Sequence, residues 1–491
     1  MPSVRKNLIL QTCYQILSIC LPLITAPYLA RVLGAEALGV FSYTSSVVGY
    51  FTLFAILGTI NYGTRTIASV RDNKILLSNN FFSIYTLQVI STSIFTIAYI
   101  LYLFFFCQDN RTIAFIQGIA LLNCMVDISW LFFGLENFTI TVTRNAIVKL
   151  VTLILIFCLV KTSKDLWLYT LIMTSSTVVS QLILWLNIPK SFCFKIPKWM
   201  EIKEHIKPNL VLFFPLIAAS IYHLMDKTML GLLSNYEQTG FYYNSDKLIG
   251  IPLVIVSGIV TVLMPRMTAL LQNKQYQNAN NLLLKTFGFI SVVCIAMGIG
   301  IAAVAKDFVP FFFGEGYEPC ILLTYFFAPV FIIKSFSYIT STQFLIPRHQ
   351  EKHLTNAILL GAVCNIICNI LLIPPYGALG AVIGTLVAEL VACIWQFRFI
   401  VQNIKLKSFF TQNFIYLLFG IIMFLGIYQI SKLEYSLPIW ILILLEILIG
   451  GIIYSTLCLI YWKITKNPML EYLFSFIRDI KSRLFKHKVN C

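Results

Sequence analysis

The sequence predicts an all-α polytopic membrane protein with about 14 transmembrane helices. Hydrophobic residues make up 58% of its 491 positions, and charged residues only 11%. A soluble domain carries about 25% charged residues, so these proportions indicate a chain that lies mostly in lipid. The apolar residues also form runs of about 18 or more, the length that a helix needs to cross the hydrocarbon core.

The apolar runs are separated mostly by short loops, and each run predicts one helix. The predicted spans are 8–31, 38–62, 81–107, 112–135, 140–160, 166–187, 209–234, 240–264, 286–305, 320–346, 355–373, 378–398, 411–431 and 437–462. These helices predict two lobes and three further segments. The segments in chain order are an N-lobe over 1–187, a basic cytoplasmic linker over 188–208, a C-lobe over 209–403, two appended helices over 404–463 and a basic cytoplasmic tail over 464–491.

The basic residues predict the orientation. Placing both termini in the cytoplasm puts 27 of the 36 Lys and Arg residues in cytoplasmic segments and six in outer ones, with Lys227, Lys247 and Lys334 at membrane depth. Short cytoplasmic loops carry such an excess in membrane proteins. The same distribution explains the net charge of +16 without nucleic acid as a partner.

A weak internal repeat pairs helices 1–6 with helices 7–12. Gly39-Val-Phe-Ser-Tyr43 precedes Arg65 by the same interval as Gly240-Phe-Tyr-Tyr-Asn244 precedes Arg266. Because each half has six helices, both halves have the same orientation, and parallel repeats of this kind place substrate sites at the repeat interface. The two last helices have no counterpart.

Charged residues inside predicted helices are the strongest functional signal. Asp226-Lys227 and Asp246-Lys247 each interrupt an apolar run, and Lys334 lies near the middle of another. Charge at membrane depth is costly, and it usually faces a bundle interior or a watery cavity and marks a transport pathway.

Longer motifs resemble the O-antigen and capsule repeat-unit flippases (Wzx-type), a polysaccharide-export family of the multidrug/oligosaccharidyl-lipid/polysaccharide exporter superfamily. These motifs are Arg31-Val-Leu-Gly-Ala-Glu-Ala-Leu-Gly-Val-Phe-Ser-Tyr43, Asn61-Tyr-Gly-Thr-Arg65, Asp127-Ile-Ser-Trp-Leu-Phe-Phe-Gly-Leu-Glu136, the two Asp-Lys stretches, Val262-Leu-Met-Pro-Arg266 and Pro375-Tyr-Gly-Ala-Leu-Gly380. The resemblance covers nearly the whole chain except the last two helices and the tail.

The resemblance implies two pseudo-symmetric six-helix lobes around a central cavity, with two additional helices, in the bacterial cytoplasmic membrane. It also implies a polyprenyl-diphosphate-linked oligosaccharide as cargo, moved from the cytoplasmic to the outer leaflet for surface polysaccharide assembly. A drug or cation antiporter and a peptidoglycan lipid precursor flippase remain the alternatives on the same scaffold. A polymerase and glycosyltransferases are the partner proteins that such a pathway suggests, and we expect a monomer.

Flipping breaks no bond, but the diphosphate needs a solvated path with fixed cations. The predicted substrate-binding cations are Lys227, Lys247, Lys334, Arg65, Arg266 and Arg31. Lys334 has no obvious partner in sequence, whereas Lys227 and Lys247 have the alternative of pairing across helices with Asp246 and Asp226. The two arginines Arg65 and Arg266 have the alternative of anchoring the topology.

An H⁺ or Na⁺ gradient is the expected driving force, and no cofactor or metal is expected. The candidates for ion coupling or pairing are Asp226, Asp246, Asp127, Glu389 and His223. His223 lies one turn before Lys227 on the same helix face, although lone histidines on apolar helices are usually structural. Tyr222, Tyr242, Tyr243 and Trp130 carry aromatic rings that could stack on sugars, but Tyr and Trp are also common at membrane interfaces.

Other function classes lack their motifs. No Gly-x-x-x-x-Gly-Lys-[Ser/Thr] phosphate loop occurs, the 13 cysteines contain no Cys-x-x-Cys, and no Asp-x-Asp motif suggests a glycosyltransferase. The stretch His349-Gln-Glu-Lys-His353 has its Glu at the wrong position for a zinc helix. We therefore expect a transporter and not an enzyme.

Overall fold

The computed structural model describes residues 4–188, 192, 195–402, 407–432 and 437–471. Within them the regular structure is helical throughout, as predicted. The α-helices are α1 (Val4–Ile56), α2 (Thr59–Val70), α3 (Lys74–Phe105), α4 (Arg111–Gln117), α5 (Ile119–Val126), α6 (Ser129–Gly134), α7 (Phe138–Leu159), α8 (Leu166–Trp185), α9 (Trp199–Leu233), α10 (Tyr236–Gln272), α11 (Tyr276–Phe313), α12 (Pro319–Ile339), α13 (Glu351–Tyr376), α14 (Ala378–Val401), α15 (Lys407–Ser431) and α16 (Ile439–Ile464).

The helix count agrees with the prediction. Twelve segments of the described chain are long and apolar enough to span a membrane, and the first of them, Cys20–Val70, overlaps both of the first two predicted helices. These two helices are divided at Gly34, whose φ of +81° lies in the left-handed region that favours glycine. The predicted helix at 209–234 lies within α9. The multi-pass membrane architecture is therefore confirmed.

The described chain forms two compact units. The first contains Met1–Asn244 and Ala362–Gly384, and the second contains Ser245–Gly361 and Thr385–Cys491. The predicted lobe boundaries at 187 and 209 differ from this division and stay a prediction. Most of the predicted basic tail lies outside the described residues.

A close crossing of α1 and α10 in the first unit relates the two repeats. A side chain on Gly39 would overlap the backbone of Tyr236, and one on Gly240 would overlap the backbone of Ala35. Ala35 precedes Gly39 by the same four residues as Tyr236 precedes Gly240, so the contact is reciprocal, as around a two-fold axis. The glycines that the sequence repeat pairs therefore meet each other directly.

Trp130 is at the centre of the core formed by α2, α3 and α6. It is fully buried with Ile67, Phe81 and Phe132, and a Cβ on Gly63 would lie 2.6 Å from its ring. Its indole nitrogen donates a hydrogen bond to Gln88 Oε1 at 3.0 Å. Trp130 is thus a core residue, and the sugar-stacking hypothesis does not hold for it.

In the second unit, α11 packs against α12, α15 and α16, and α15 also packs against α16. The two helices without a repeat counterpart therefore attach mainly to α11. The indole of Trp462 on α16 donates a hydrogen bond to Tyr416 Oη on α15 at 3.0 Å, and both residues are buried. This buried polar contact specifies the register between the two helices.

Side-chain hydrogen bonds join the first half of α9 to α2, and one of them involves His205. His205 Nδ1 lies 2.6 Å from the hydroxyl of Tyr62, and the His205 side chain is buried. Burial lowers the pKa of His205, although the nearby Glu204 carboxylate opposes this shift. In its neutral form the imidazole can accept a hydrogen bond from the Tyr62 hydroxyl at Nδ1.

Stability should fall on acidification through this contact. A lowered pKa in the folded state means that the unfolded chain takes up the proton first, so the contribution is present above about pH 6.5 and is lost as the pH decreases further. We expect His205→Gln to reduce the difference in melting temperature between pH 7.5 and pH 5.5, measured on purified protein. His353→Gln, in the second half of the sequence repeat, is the control. An equal reduction in that variant would contradict the assignment of the pH dependence to His205.

Candidate functional site

Asp226 is the most completely enclosed of the predicted intramembrane charges in the first unit. It lies on α9 and is 4% exposed. Its Oδ2 accepts a hydrogen bond from the hydroxyl of Tyr242 at 2.7 Å, and its Oδ1 accepts one from the amide nitrogen of Asn369 at 2.7 Å. A buried carboxylate requires such donors, because its desolvation is otherwise too costly.

The amides around Asp226 come from α13. Asn365 and Asn369 are one helical turn apart, both are fully buried, and Asn369 Nδ2 lies 3.1 Å from Asn365 Oδ1. No described donor reaches Asn369 Oδ1. A side chain on Gly384 would overlap this amide, so α14 can approach only because Gly384 has none. We call Asp226, Tyr242, Asn365 and Asn369 the carboxylate–amide cluster.

Lys227 follows Asp226 on α9 and points to a different neighbour. Its ammonium nitrogen lies 5.6 Å from the centroid of the Tyr243 ring, within the range of a cation–π contact. Lys227 is half-buried and His223 is exposed. Tyr242 thus contacts Asp226, and Tyr243 contacts Lys227. Both tyrosines were predicted only as sugar-stacking candidates.

Lys334 and Glu389 form a charged contact within the second unit. The Lys334 ammonium, on α12, lies 3.5 Å from Glu389 Oε1, on α14, and the two side chains are 18% and 12% exposed. Lys334 therefore has a partner that was not obvious from the sequence, and its role in substrate binding stays a prediction. The partner is 55 positions away in the sequence and was itself predicted as a separate ion-coupling candidate.

Breaking this pair should separate its structural from its functional role. Lys334→Met leaves a largely buried carboxylate without its cation, which costs about 3–5 kcal/mol when a pair is fully buried and correspondingly less here. We expect a lower melting temperature for Lys334→Met, recovery in Lys334→Met/Glu389→Gln, and no recovery of transport. Recovered transport in the double variant would show that the pair is only structural.

The remaining predicted residues lie at several positions. Asp127 is buried, and its Oδ1 accepts a hydrogen bond from the backbone N–H of Ser129 at 2.8 Å, in the turn just before α6. Asp246 and Lys247 are half-buried residues of the second unit. The three arginines Arg31, Arg65 and Arg266 are exposed. Their roles in substrate binding or ion coupling stay predictions.

Three residues of the candidate site were not among the predicted site residues: Tyr242, Asn365 and Asn369. The two asparagines carry a signal, because Asn at positions i and i+4 of an apolar helix share one face. A pair of uncharged amides is easily overlooked beside charged residues.

Among the described residues, no group of three His, Cys, Asp or Glu side chains could hold a metal ion.

Comparison with known proteins identifies the family. The model of the family described as "Polysaccharide biosynthesis protein" matches residues 4–271. A relative from Escherichia coli (strain K12), named "Putative O-antigen transporter", is 21% identical over 405 residues, covering 82% of this chain and 97% of the relative. A protein of the same name from Shigella dysenteriae is 24% identical over 412 residues, covering 80% of this chain and 99% of that protein.

Solved structures share the fold. The lipid II flippase MurJ in an inward closed conformation aligns with a TM-score of 0.71 and 16% identity, covering 94% of this chain and 99% of MurJ. An inward-facing multidrug resistance MATE transporter of the MOP superfamily aligns with a TM-score of 0.61 and 13% identity, covering 79% of this chain and 95% of the transporter. The motif resemblance is thus confirmed, and the chain belongs to the polysaccharide biosynthesis protein family.

Proposed function

We propose that this protein is a secondary transporter that flips polyprenyl-diphosphate-linked oligosaccharide repeat units by alternating access. The cargo would move from the cytoplasmic to the outer leaflet for assembly of O-antigen or capsule. The observation that carries the proposal is the set of charged groups held inside membrane helices of a polysaccharide biosynthesis family member. The O-antigen transporters among its relatives and the flippase with the same fold support this cargo class.

The physical requirement is a path for a diphosphate through lipid. A diphosphate cannot cross the hydrocarbon core without fixed cations or water around it. Lys227 in the first unit and Lys334 in the second are half-buried lysines within membrane helices. The tyrosine contact of Lys227 and the carboxylate contact of Lys334 position the two ammonium groups.

We further propose that an ion gradient drives the cycle through the carboxylate–amide cluster. Carboxylate and amide oxygens within a membrane bundle suit a proton or a sodium ion, as in other secondary transporters. The charge of Asp226 and the unused lone pairs of Asn369 Oδ1 provide such oxygens. On this account, the protein needs no cofactor, catalyses no covalent step and works in the bacterial cytoplasmic membrane with both termini in the cytoplasm.

Depletion of the protein in cells tests the cargo. We expect lipid-diphosphate-linked oligosaccharide to accumulate in the cytoplasmic leaflet, and wild-type protein but not Lys334→Ala to reverse the accumulation. Accumulation of the peptidoglycan lipid precursor would favour that flippase activity instead. Normal surface glycan together with increased drug sensitivity would overturn the proposal in favour of an antiporter.

A further inference from the structure

A second acidic site lies in the second unit, at two residues that were not among the predicted site residues. Asp307 is on α11, six residues before the helix ends at Phe313, and Glu446 is on α16, seven residues after it begins at Ile439. At about 1.5 Å per residue, each carboxyl group lies roughly 10 Å from its helix end. That end of the bundle is the one that the basic residues predict to be outer.

The Glu446 side chain has no hydrogen-bond donor. It is 0% exposed, and no described donor reaches either of its carboxylate oxygens or Oδ2 of Asp307. Its helix packs against α11, and the Asp307 carboxyl group acts on Glu446 both as a side-chain hydrogen-bond partner and as a like charge. Two carboxylates are both acceptors, so this contact forms a hydrogen bond only when one of them carries a proton.

The neighbouring helices do not supply a substitute for that proton. Lys306 acts on Glu446 through its charge, but its side chain is exposed. Tyr325 on α12 interacts with Asp307 through its charge, and Tyr428 on α15 acts on Tyr325 in the same way. The ammonium of Lys432 lies over the Tyr428 ring, 4.6 Å from its centroid.

We propose that Asp307 and Glu446 form a proton-binding site that joins α16 to α11 by one shared proton. With the proton bound, the pair carries one negative charge and one hydrogen bond between the helices. Its release would leave two like charges in contact, one of them fully buried, which is strongly unfavourable. Proton release would therefore loosen the contact between an appended helix and the helix that carries it.

The proposed site gives the appended helix α16 a proton-dependent contact with α11. This inference does not depend on the identity of the cargo. It is separate from the carboxylate–amide cluster, which belongs to the first unit, and from the Lys334–Glu389 pair, in which a cation already neutralises the carboxylate. Its position near the predicted outer end would make this helix contact responsive to the pH outside the cell.

Infrared spectroscopy of the purified full-length protein tests the proposal. A protonated carboxyl group has a carbonyl band that shifts in deuterated water and disappears when the proton is released. We expect such a band, equal to one carboxyl group per chain, to be present at about pH 5 and lost towards about pH 10. The band should be absent from Glu446→Gln, whose amide can still donate a hydrogen bond to Asp307, and retained in Glu315→Gln, at an exposed position of the adjoining loop.

Asp307→Asn is the second variant, because it should also remove the pH-dependent band while its amide still donates to Glu446. The melting temperature of both variants should lose its dependence on pH in the range where the wild-type band disappears. A band that persists unchanged in Glu446→Gln would overturn the proposal. A wild-type band that never titrates, or one that is displaced by Na⁺ at constant pH, would also overturn it, in favour of a permanent structural proton or a sodium site.

Discussion

Gly240→Val is expected to abolish transport. Any side chain at Gly240 would overlap the backbone of Ala35 in the reciprocal crossing of α1 and α10. A clash with backbone cannot be relieved by a rotamer change, so the two helices must move apart. Overpacking of this kind costs about 1–3 kcal/mol or more, and here it acts on the contact that brings the two repeats together. We expect transport at least tenfold below wild type in a cell-surface glycan assay.

The same helix offers a matched control. Gly258 also lies on α10, and a Cβ added there would meet nothing within 4 Å. Because alanine is the better helix former by about 1 kcal/mol, Gly258→Ala should retain transport and be equally or more stable. Gly39→Val should reproduce the defect of Gly240→Val, since Gly39 makes the other half of the contact. Full transport by either Gly39→Val or Gly240→Val would show that the crossing can open without consequence.

Asp226→Asn is expected to lose transport while the protein remains folded. The substitution keeps the size of the side chain and one oxygen acceptor, and the Tyr242 hydroxyl can rotate to accept instead of donate. What it removes is the negative charge that an H⁺ or Na⁺ ion would bind. We expect near-normal expression and a melting temperature within a few degrees of wild type, whereas Asp226→Leu should also unfold because two buried donors lose their acceptor.

The variant Asp226→Asn/Asn369→Asp tests the position of the charge. It restores a carboxylate–amide contact with the charge on α13 instead of α9. If ion binding by the cluster drives transport, the double variant should regain part of the activity that Asp226→Asn loses, and its dependence on the ion gradient should return with it. Unimpaired transport by Asp226→Asn would exclude the cluster from coupling.

The sequence predicted the helices because lipid imposes a simple requirement on composition and length. Residue pairings depend on geometry that the sequence does not reveal. Lys334 and Glu389 lie on different helices, and nothing in either segment indicates that they meet. The partners of Asp226 illustrate the same limit. Asn365 and Asn369 share one helix face, but that pattern does not indicate that Asn369 and Tyr242 would donate hydrogen bonds to this carboxylate. By contrast, the repeat of Gly39 and Gly240 was visible, because close backbone contact tolerates only glycine.

Transport by purified protein in proteoliposomes tests the central claim most directly. A fluorescently labelled polyprenyl-diphosphate oligosaccharide would be placed in both leaflets, and a membrane-impermeant reductant would report the fraction in the outer one. We expect an imposed H⁺ or Na⁺ gradient to change that fraction with wild-type protein, and Asp226→Asn to abolish the change. Movement of the labelled lipid no faster than in protein-free vesicles, in the presence of either gradient, would contradict the account.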